Sequence, residues 1–392
     1  MRSESVSLSN RAGLTLQGSI DWPATPHRAV ALFAHCFTCT SNLRATRHLS
    51  EALTRRGIAV MRFDFTGLGN SEGEFSDTTF ASNVTDLIDA AAWLAERELA
   101  PDILVGHSLG GTATLLAASE IDSAVAVATI GSPADAAHVS HLFSDRQEDI
   151  RREGKAQVML AGRPFVIGQA LVDDLQQHPL RDSMHRLRKA LLIMHAPLDA
   201  TVEVSNAQTL FEQALHPKSF VSLDRADHLL SDPRDSRYAG EVLGAWAARF
   251  LPEADIDADN DAIEATTYGD SFTTGITSGP HALVADEPAS VGGRDEGPSP
   301  VQLLSAALAS CTSMTLQMYA KHKGLKVDRV HVSVTAASSR DQGTTRTTFH
   351  RDISIDGNVD AATKQRMLEI ADRCPVHRSL HGDVTVTNTL IE

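Results

Sequence analysis

Residues 102–119 read "DILVGHSLGGTATLLAAS", in which an apolar strand pattern passes directly into a small-residue helix pattern through a G-x-S-x-G motif. A strand that turns sharply into a helix exposes the residue at the turn above the sheet. Gly106 and Gly110 leave room for the strained turn and for close packing of the helix. The stretch therefore predicts that Ser108 presents its hydroxyl at the end of a buried strand. The alternative is a glycine-rich turn with a structural serine.

The pattern of the surrounding sequence predicts the fold class. From residue 29 to about 251, short apolar runs alternate with amphipathic helical segments, which is typical of an α/β domain with a doubly wound, mostly parallel sheet. The predicted strands are "AVALFAH", "IAVMRFDF", "DILVGH", "AVAVATIG", "ALLIMH" and "SFVSLD". Before them, "SVSL" and "LTLQGSI" predict an antiparallel hairpin on the sheet edge. A stretch at about 133–188, including "AQVMLAGRPFVI", interrupts the pattern and predicts a small cap insertion.

A serine hydroxyl becomes a nucleophile only when a base takes its proton and a carboxylate orients that base. Both groups are expected downstream, in loops at the carboxyl ends of strands, where a doubly wound sheet gathers its ligands. His228 follows "SFVSLD" and Asp199 follows "ALLIMH". We therefore predict a Ser-His-Asp triad of Ser108, His228 and Asp199. Asp224 and Asp227 remain alternative candidates for the acid.

The oxyanion of an acyl-transfer intermediate needs two backbone N–H donors, which we expect at Leu109 and Phe37. Residues 35–41, "HCFTCTS", and 62–73, "RFDFTGLGNSEG", together with the serine turn, resemble the α/β-hydrolase superfamily, specifically its small esterases with an H-G-F oxyanion loop. The resemblance covers residues 1 to about 252. It implies an α/β-hydrolase fold and a serine hydrolase of the carboxylesterase type.

Two cysteines lie in the same loop. Cys36 stands where the related oxyanion loops usually have glycine, and together with Cys39 it forms C-F-T-C, spaced like a redox C-x-x-C pair. A true redox pair of this spacing opens a helix after a strand in a thioredoxin-like unit. The oxyanion loop offers a different use for these positions. We therefore expect small buried residues with free thiols.

The organisation changes after residue 252. Residues 253–264, "EADIDADNDAIE", carry six carboxylates and no base, which predicts a self-repelling acidic linker over 253–262. Residues 263–392 then predict an α+β domain. Its expected order is three short strands, a long helix from Pro300 to about Lys323, two strands, a helix and a final strand, "VTVTNTLI".

This second domain contains two cysteines in different settings. Cys311 falls on one helical face with apolar and small neighbours, where a cysteine is usually part of the core. That face comprises Leu304, Leu308, Cys311, Thr315 and Met318. Cys374 precedes Pro375 in "ADRCPVHR", so we expect it to cap a new helix. There the helix dipole and the neighbouring Arg373 favour a thiolate.

The segments around Cys311 and Cys374, with "GGRDEGPSP" ahead of them, resemble the OsmC and organic-hydroperoxide-resistance family over residues 260–392. The resemblance implies that Cys311 is the peroxidatic thiolate that attacks the hydroperoxide and that Cys374 is the resolving thiol. It implies re-reduction by an external thiol reductant. It also implies an obligate homodimer.

Some family positions are filled differently in this chain. The glutamate that many relatives place after the proline is Val301 or Gln302 here. The arginine that others carry in the first strands has no counterpart in "IEATTYGDSFTTG", so Arg294 is a candidate for the missing cation, with a solvent-facing loop residue as the alternative. His377, three residues after Cys374, is a candidate hydrogen-bond partner for it. The spacing C-x-x-H also occurs in zinc sites, but this chain lacks the second pair of ligands that such a site needs.

The composition of the chain indicates which classes of partner and which cellular location to expect. The formal charge of −15, from 35 basic and 50 acidic residues, repels phosphate backbones and anionic membranes, so no nucleic acid and no membrane is expected. The N-terminal segment lacks the apolar core of a secretory signal, which favours a cytoplasmic location. Four cysteines are too few for a disulfide scaffold in 392 residues.

The sequence thus predicts a bifunctional enzyme without metal or organic cofactor, which cleaves small apolar esters and reduces organic hydroperoxides. In one alternative, the second domain is only a dimerisation or lipid-binding module with idle thiols. In another, the first domain is a non-catalytic binding scaffold.

Overall fold

A computed structural model describes residues 2–36, 40–41, 43–160, 163–252, 262–269, 271–279, 281–341 and 344–390. The chain divides into two compact units. The first comprises Met1–Gly269 and Gly275–Ala282, and the second comprises Asp270–Thr274 and Leu283–Glu392. Most of the predicted acidic linker, residues 253–261, lies outside the described residues.

The first unit is built on one eight-stranded sheet. Its strands are β1 (Arg2–Ser9), β2 (Thr15–Trp22), β3 (Ala29–Ala34), β4 (Ile58–Phe63), β5 (Ile103–His107), β6 (Ala126–Ile130), β9 (Ala190–His195) and β10 (Lys218–Ser222), while β7 (Lys155–Leu160) and β8 (Arg163–Gly168) form a separate hairpin. The order in the sheet is β1-β2-β4-β3-β5-β6-β9-β10. The pairs from β4 to β10 are parallel, and β1–β2 and β2–β4 are antiparallel. The predicted mostly parallel sheet with an edge hairpin is confirmed.

Helices cover both faces of this sheet. They are α1 (Arg44–Thr54), α2 (Phe80–Ala95), α3 (Leu109–Ala117), α4 (Gln147–Glu153), α5 (Gln169–Asp174), α6 (Arg181–Arg186), α7 (Ser205–Gln213) and α8 (Pro233–Ala247). Helices α1 and α8 pack together on one face, while α2, α3 and the cap pack on the other. Because both faces are covered, every residue of β3, β4, β5, β6 and β9 is buried.

The cap lies between β6 and β9. It contains a 3-10 segment (Ala136–Arg146), α4, the antiparallel β7–β8 hairpin, α5 and α6. The two apolar runs of "AQVMLAGRPFVI" form the hairpin, as expected, and residues 161–162 lie outside the described part. Val158, Leu160 and Ile167 are buried in the core on that face of the sheet. The cap is therefore packed onto the domain.

Three short strands follow the first domain and form their own sheet in the order β11-β12-β13. They are β11 (Ile263–Thr267), β12 (Thr274–Ser278) and β13 (His281–Ala285). The remaining elements are α9 (Pro300–Lys323), β14 (Lys326–Asp341), β15 (Thr344–Asn358), α10 (Ala361–Ala371) and α11 (Pro375–His381). Strands β14 and β15 form a long antiparallel hairpin. No helix in the described part of the chain is long and apolar enough to span a membrane.

Local sequence fixes the ends of α9. The Ser299 hydroxyl accepts from the N–H of Gln302, and the Gln302 side chain accepts from the N–H of Ser299, which forms a capping box. Pro300 occupies the first turn, where a missing N–H costs nothing. Gly324 ends the helix in the left-handed conformation, with φ of 63°. The predicted helix from Pro300 to about Lys323 is confirmed.

Two expectations for the second domain were wrong. The buried stripe of α9 runs through Leu308, Thr312, Leu316 and Ala320, whereas Met318 is 72 % exposed. The buried face of α9 is therefore rotated about the helix axis relative to the predicted face through Leu304 and Met318. The same segment also contains apolar and small residues at i, i+4 spacing, and these face α10 and the β14–β15 hairpin.

The predicted final strand is also absent from the described residues 383–390. Val384, Val386 and Leu390 alternate in sequence, but each is more than two-thirds exposed. A strand needs hydrogen bonds from a neighbouring edge, and the described part of the chain supplies none to this segment.

A buried ion pair links the edge hairpin to the centre of the sheet. Arg62 on β4 donates to both carboxylate oxygens of Asp21 on β2, at 2.7 and 3.1 Å. The Ser50 hydroxyl donates to the same carboxylate at 2.5 Å, and Arg62 also donates to the Ser41 carbonyl at 2.5 Å. Both charged side chains are nearly inaccessible to solvent. Each charge is therefore paired and hydrogen-bonded, as a buried ion must be.

We expect Arg62→Ala to lower the free energy of unfolding of the first unit by about 3–5 kcal/mol, because it leaves Asp21 buried and unpaired. Arg56→Ala is the matched control, since Arg56 pairs with Glu241 at the surface, and should cost less than about 1 kcal/mol. Urea unfolding followed by tryptophan fluorescence measures both, because every tryptophan lies in the first unit: Trp22, Trp93 and Trp246. Equal losses in the two variants would contradict this account.

Candidate functional site

The G-x-S-x-G motif forms a strained turn between β5 and α3. Ser108 has φ of 55° and ψ of −130°, a conformation that non-glycine residues rarely adopt. Its N–H donates to the Ile130 carbonyl at 2.8 Å, which holds the turn against β6. A Cβ at Gly110 would lie 2.2 Å from the His35 carbonyl oxygen, and one at Gly106 would lie 2.4 Å from the helix backbone. The two glycines therefore permit the close approach that the sequence predicted.

Three predicted side chains meet at this turn. His228 Nε2 lies 2.9 Å from Ser108 Oγ, and His228 Nδ1 lies 2.7 Å from Asp199 Oδ2. The carboxylate is 1 % exposed and the imidazole 11 % exposed. The competing acids do not take this place: Asp227 accepts from the Ser231 N–H, and Asp224 accepts from the Ser222 hydroxyl. The geometry supports Asp199 as the partner of His228.

The loop after β9 holds Asp199 in its charged form. Its Oδ1 accepts from the N–H groups of Thr201 and Val202 at 2.8 and 2.9 Å, which leaves Oδ2 for His228. Burial alone would raise the pKa of Asp199, but the hydrogen bonds from His228 and the two N–H groups outweigh it and leave that pKa below its usual value. An ionised acceptor keeps a proton on His228 Nδ1, so Nε2 is free to accept the serine proton.

Buried neutral histidines surround this arrangement. His107 Nε2 donates to the His228 carbonyl at 2.7 Å, and the two rings lie 5.2 Å apart. Burial and the neighbouring His228 lower the pKa of His107 to about 3. Burial also lowers the pKa values of His35 and His195. His107 therefore positions His228 without adding a positive charge beside it, a contribution that the sequence analysis missed although the residue lies inside the motif.

Only part of the predicted oxyanion site lies in the described residues. Leu109 is buried at the first position of α3, where an N–H has no acceptor within the helix. Phe37 lies outside the described residues. Ser41 is anchored by two contacts: its N–H donates to Asp64 at 2.7 Å, and its carbonyl accepts from Arg62. The sequence analysis missed both charged anchors. Arg62 and Asp64 both lie in the stretch "RFDFTGLGNSEG", which the sequence analysis used only for its resemblance to a family.

Cys36 departs from expectation in one respect. It is buried, as predicted, at 3 % exposure. It is also disulfide-bonded, so the expectation of a free thiol there was wrong. Cys39 lies outside the described residues.

In the second unit, Cys374 caps α11 as predicted. Its sulfur accepts from the His377 N–H at 3.2 Å and from the Thr312 hydroxyl at 3.6 Å, and the residue is fully buried. Cys311, the residue before Thr312, is a free thiol in a half-buried position on α9. The contact through Thr312 brings Cys374 against the turn of α9 that carries Cys311.

A cation that sequence analysis missed lies beside this thiol. Arg351 on β15 donates to Thr312 Oγ1 at 3.2 Å and contacts His377 Nδ1 at 3.2 Å. Burial, and then the Arg351 charge, lower the pKa of His377. Arg294, the predicted cation, is an exposed residue whose N–H donates to Asp286 at 3.2 Å. No sequence motif marked Arg351, because only the tertiary fold brings β15 to Cys374.

Within the described residues, no group of three or more His, Cys, Asp or Glu side chains is arranged to hold a metal ion.

Comparison with known families agrees with both halves of this architecture. Residues 31–254 match the model of the alpha/beta hydrolase family. The chain belongs to the alpha/beta hydrolase family. Residues 293–389 match the model of OsmC-like proteins. This α/β-hydrolase therefore carries an OsmC-like domain at its C-terminal end.

Individual relatives match the hydrolase part. The esterase domain of a Rhodothermus marinus protein is 45 % identical, with a TM-score of 0.55 over 64 % of this chain and 100 % of that domain. The uncharacterised protein YfhR of Salmonella typhimurium is 25 % identical over 60 % of this chain and 77 % of its own length. The mitochondrial palmitoyl-protein thioesterase ABHD10 of Mus musculus is 25 % identical over 46 % of this chain and 62 % of its own length.

The lowered pKa of His107 predicts a pH dependence of stability. Between its ordinary value of 6.5 and about 3, the unfolded chain binds a proton at His107 that the folded chain does not. The contribution is therefore complete above pH 6.5 and is lost on acidification by about 1.4 kcal/mol per pH unit. His107→Gln keeps an N–H donor for the His228 carbonyl but removes this titration.

Urea unfolding followed by tryptophan fluorescence at pH 6.5 and pH 5 tests this. We expect the unmodified chain to lose about 2 kcal/mol more than His107→Gln over that interval. Parallel losses in the two proteins would show that His107 does not titrate with unfolding.

Proposed function

We propose that the hydrolase domain is a serine esterase in which Ser108 forms an acyl-enzyme. The observation that supports this most strongly is the unbroken hydrogen-bonded chain from Ser108 Oγ through His228 to Asp199. A merely structural serine would need neither the strained backbone at Ser108 nor a buried carboxylate behind the histidine. The 45 % identity to an esterase domain supports the same reaction class.

The proposed reaction follows from the positions of the protons. Ser108 Oγ attacks the acyl carbon while His228 Nε2 takes its proton, and Asp199 stabilises the resulting imidazolium. The Leu109 N–H stabilises the oxyanion. His228 then returns the proton to the leaving alcohol or thiol. Water, activated in the same way, attacks the acyl-enzyme and releases the acid, so that Ser108 recovers its proton.

For the substrate, we propose an apolar acyl group in an oxygen ester or a thioester. A thioester is included because one relative is named as a palmitoyl-protein thioesterase. The same triad chemistry serves both, since only the leaving atom differs.

We propose that the OsmC-like domain reduces organic hydroperoxides. The Cys311 thiolate attacks the terminal oxygen, which gives a sulfenic acid and an alcohol. The Cys374 sulfur then attacks the Cys311 sulfur, and the hydroxyl leaves as water when the disulfide forms. An external thiol reductant supplies two thiols that reduce this disulfide and themselves become a disulfide, which balances the two electrons. A half-buried thiol beside a buried, hydrogen-bonded one supports this division of roles.

We further propose that the OsmC-like domain forms a homodimer. Helix α9 exposes apolar side chains that a monomer rarely leaves in water. These are Val301, Leu304, Met314 and Met318. A groove of about 860 Å³ between α9 and β14 offers space for a partner segment. Sedimentation of the chain at micromolar concentration should therefore give a dimer, and Met314→Glu with Met318→Glu should shift it to the monomer.

The first prediction of this function concerns the acid of the triad. Asp199→Asn should lower kcat/KM for a p-nitrophenyl acyl ester by roughly 10⁴-fold, because the wrong tautomer of His228 is favoured. Asp227→Asn is the matched control, since Asp227 neighbours His228 in sequence but faces solvent. Ser108→Ala should abolish ester hydrolysis while peroxide consumption continues. Equal activity in the two aspartate variants would sink the assignment.

The second concerns the thiols. A stoichiometric pulse of an alkyl hydroperoxide should link Cys311 to Cys374, and peptide mapping detects the bond. In Cys374→Ser the sulfenic acid has no resolving partner, so repeated pulses should drive Cys311 to sulfinic acid. If the domain is instead a dimerisation or lipid-binding module, both cysteines remain reduced and the hydroperoxide is not consumed.

A further inference from the structure

We propose that Arg351 is a positioning residue that prepares Cys374 for its attack on oxidised Cys311. This rests on the proposed thiol chemistry for the identity of the two sulfur atoms. The observations that carry it are the hydrogen bonds around Cys374, which are independent of any hydroperoxide.

The Arg351 side chain is 14 % exposed and makes polar contacts in several directions. One nitrogen, Nη1, donates to Thr312 Oγ1 at 3.2 Å and to the Ala371 carbonyl at 3.0 Å. The other, Nη2, donates to Asp372 Oδ1 at 2.6 Å and to His377 Nδ1 at 3.2 Å. Arg351 therefore connects α9 with the turn between α10 and α11, where Cys374 lies.

The contact with Thr312 sets the direction of a second hydrogen bond. A hydroxyl has one proton to donate. Since the Thr312 oxygen accepts from Arg351, its proton is available for Cys374 Sγ, 3.6 Å away. The sulfur also accepts from the His377 N–H, and Arg351 holds the ring of that residue. Arg351 thus orients the Thr312 hydroxyl and contacts the side chain of the residue that supplies the other donor.

This arrangement suits the step in which the disulfide closes. Cys374 must lose its proton before its sulfur forms the S–S bond to Cys311, while the S–O bond of the sulfenic acid breaks and the hydroxyl leaves as water. Two donors and a nearby guanidinium stabilise the negative sulfur during this attack. Thr312 follows Cys311 on α9. The hydrogen bonds through Thr312 therefore hold Cys374 against the turn of α9 that carries Cys311.

A purely structural role makes a different prediction. If Arg351 only fastened β15 to the following helices, its loss would impair both thiols alike. A positioning role affects the closing step and leaves the first oxidation of Cys311 unchanged. Thr312→Val separates the two roles, because it removes the hydroxyl next to the sulfur and leaves the contacts of Arg351 with Ala371 and Asp372 in place.

The experiment uses the reduced full-length chain and four variants: Arg351→Gln, Thr312→Val, the double variant, and Arg329→Gln as control. Arg329 lies on the neighbouring strand and pairs with Asp356 at the surface. In one arm, tert-butyl hydroperoxide oxidises Cys311, dimedone traps the sulfenic acid, and mass spectrometry of quenched samples follows the disulfide. In the other, oxidised glutathione forms a mixed disulfide at Cys311, which Cys374 then displaces with release of glutathione.

We expect Arg351→Gln and Thr312→Val each to slow closure by about tenfold to a hundredfold in both arms, as for loss of a charge-assisted hydrogen bond. The first reaction of Cys311 should keep its rate, the double variant should be no slower than Arg351→Gln, and Arg329→Gln should match the unmodified chain. Closure at the unmodified rate in Arg351→Gln would overturn the inference, as would equal slowing of both steps. Normal closure in Thr312→Val would exclude the route through that hydroxyl.

Failure of the proposed function gives a different result. If the chain does not react with hydroperoxide, the first arm is silent in every variant. The glutathione arm still measures the attack of Cys374 and decides the role of Arg351.

Discussion

The close approach of helix α3 to the ends of the central strands is the constraint on which the hydrolase site depends. At Gly106 and Gly110 any side chain would collide with the helix or with the backbone at His35. With that space empty, Ser108 can take its strained conformation and face His228. The strain is held by the surrounding packing, because α3 is almost wholly buried. The acid and base then need only be delivered by the loops after β9 and β10.

The two domains differ in the charged groups that lie around their candidate sites. In the hydrolase domain, burial keeps His107 and His195 neutral beside the ionised Asp199. In the OsmC-like domain, the Arg351 guanidinium donates to the Thr312 hydroxyl, and that hydroxyl donates to the buried sulfur of Cys374. In the proposed functions, the first site accepts a proton and the second stabilises negative charge on sulfur.

The sequence predicted those features that depend on residues close together along the chain. The strand-turn-helix pattern located Ser108, and the order of strands located Asp199 and His228, because parallel strands present their carboxyl ends at one edge. Arg351 and the Arg62–Asp21 pair gave no signal, since their partners are distant in sequence and only folding joins them. The face of α9 was misjudged because two overlapping periodicities fit the same residues, and tertiary contacts selected one. The final strand was wrong because an alternating pattern does not supply its own hydrogen-bonding neighbour.

Covalent labelling shows whether Ser108 is an activated nucleophile. The full-length chain is treated with a fluorophosphonate, digested, and mapped by mass spectrometry. We expect a phosphonate adduct on Ser108, formed far more slowly when His228 is replaced by alanine, because the free hydroxyl is inert without its base. A folded chain that remains unlabelled, or that is labelled at another residue at the same rate in both forms, would contradict it.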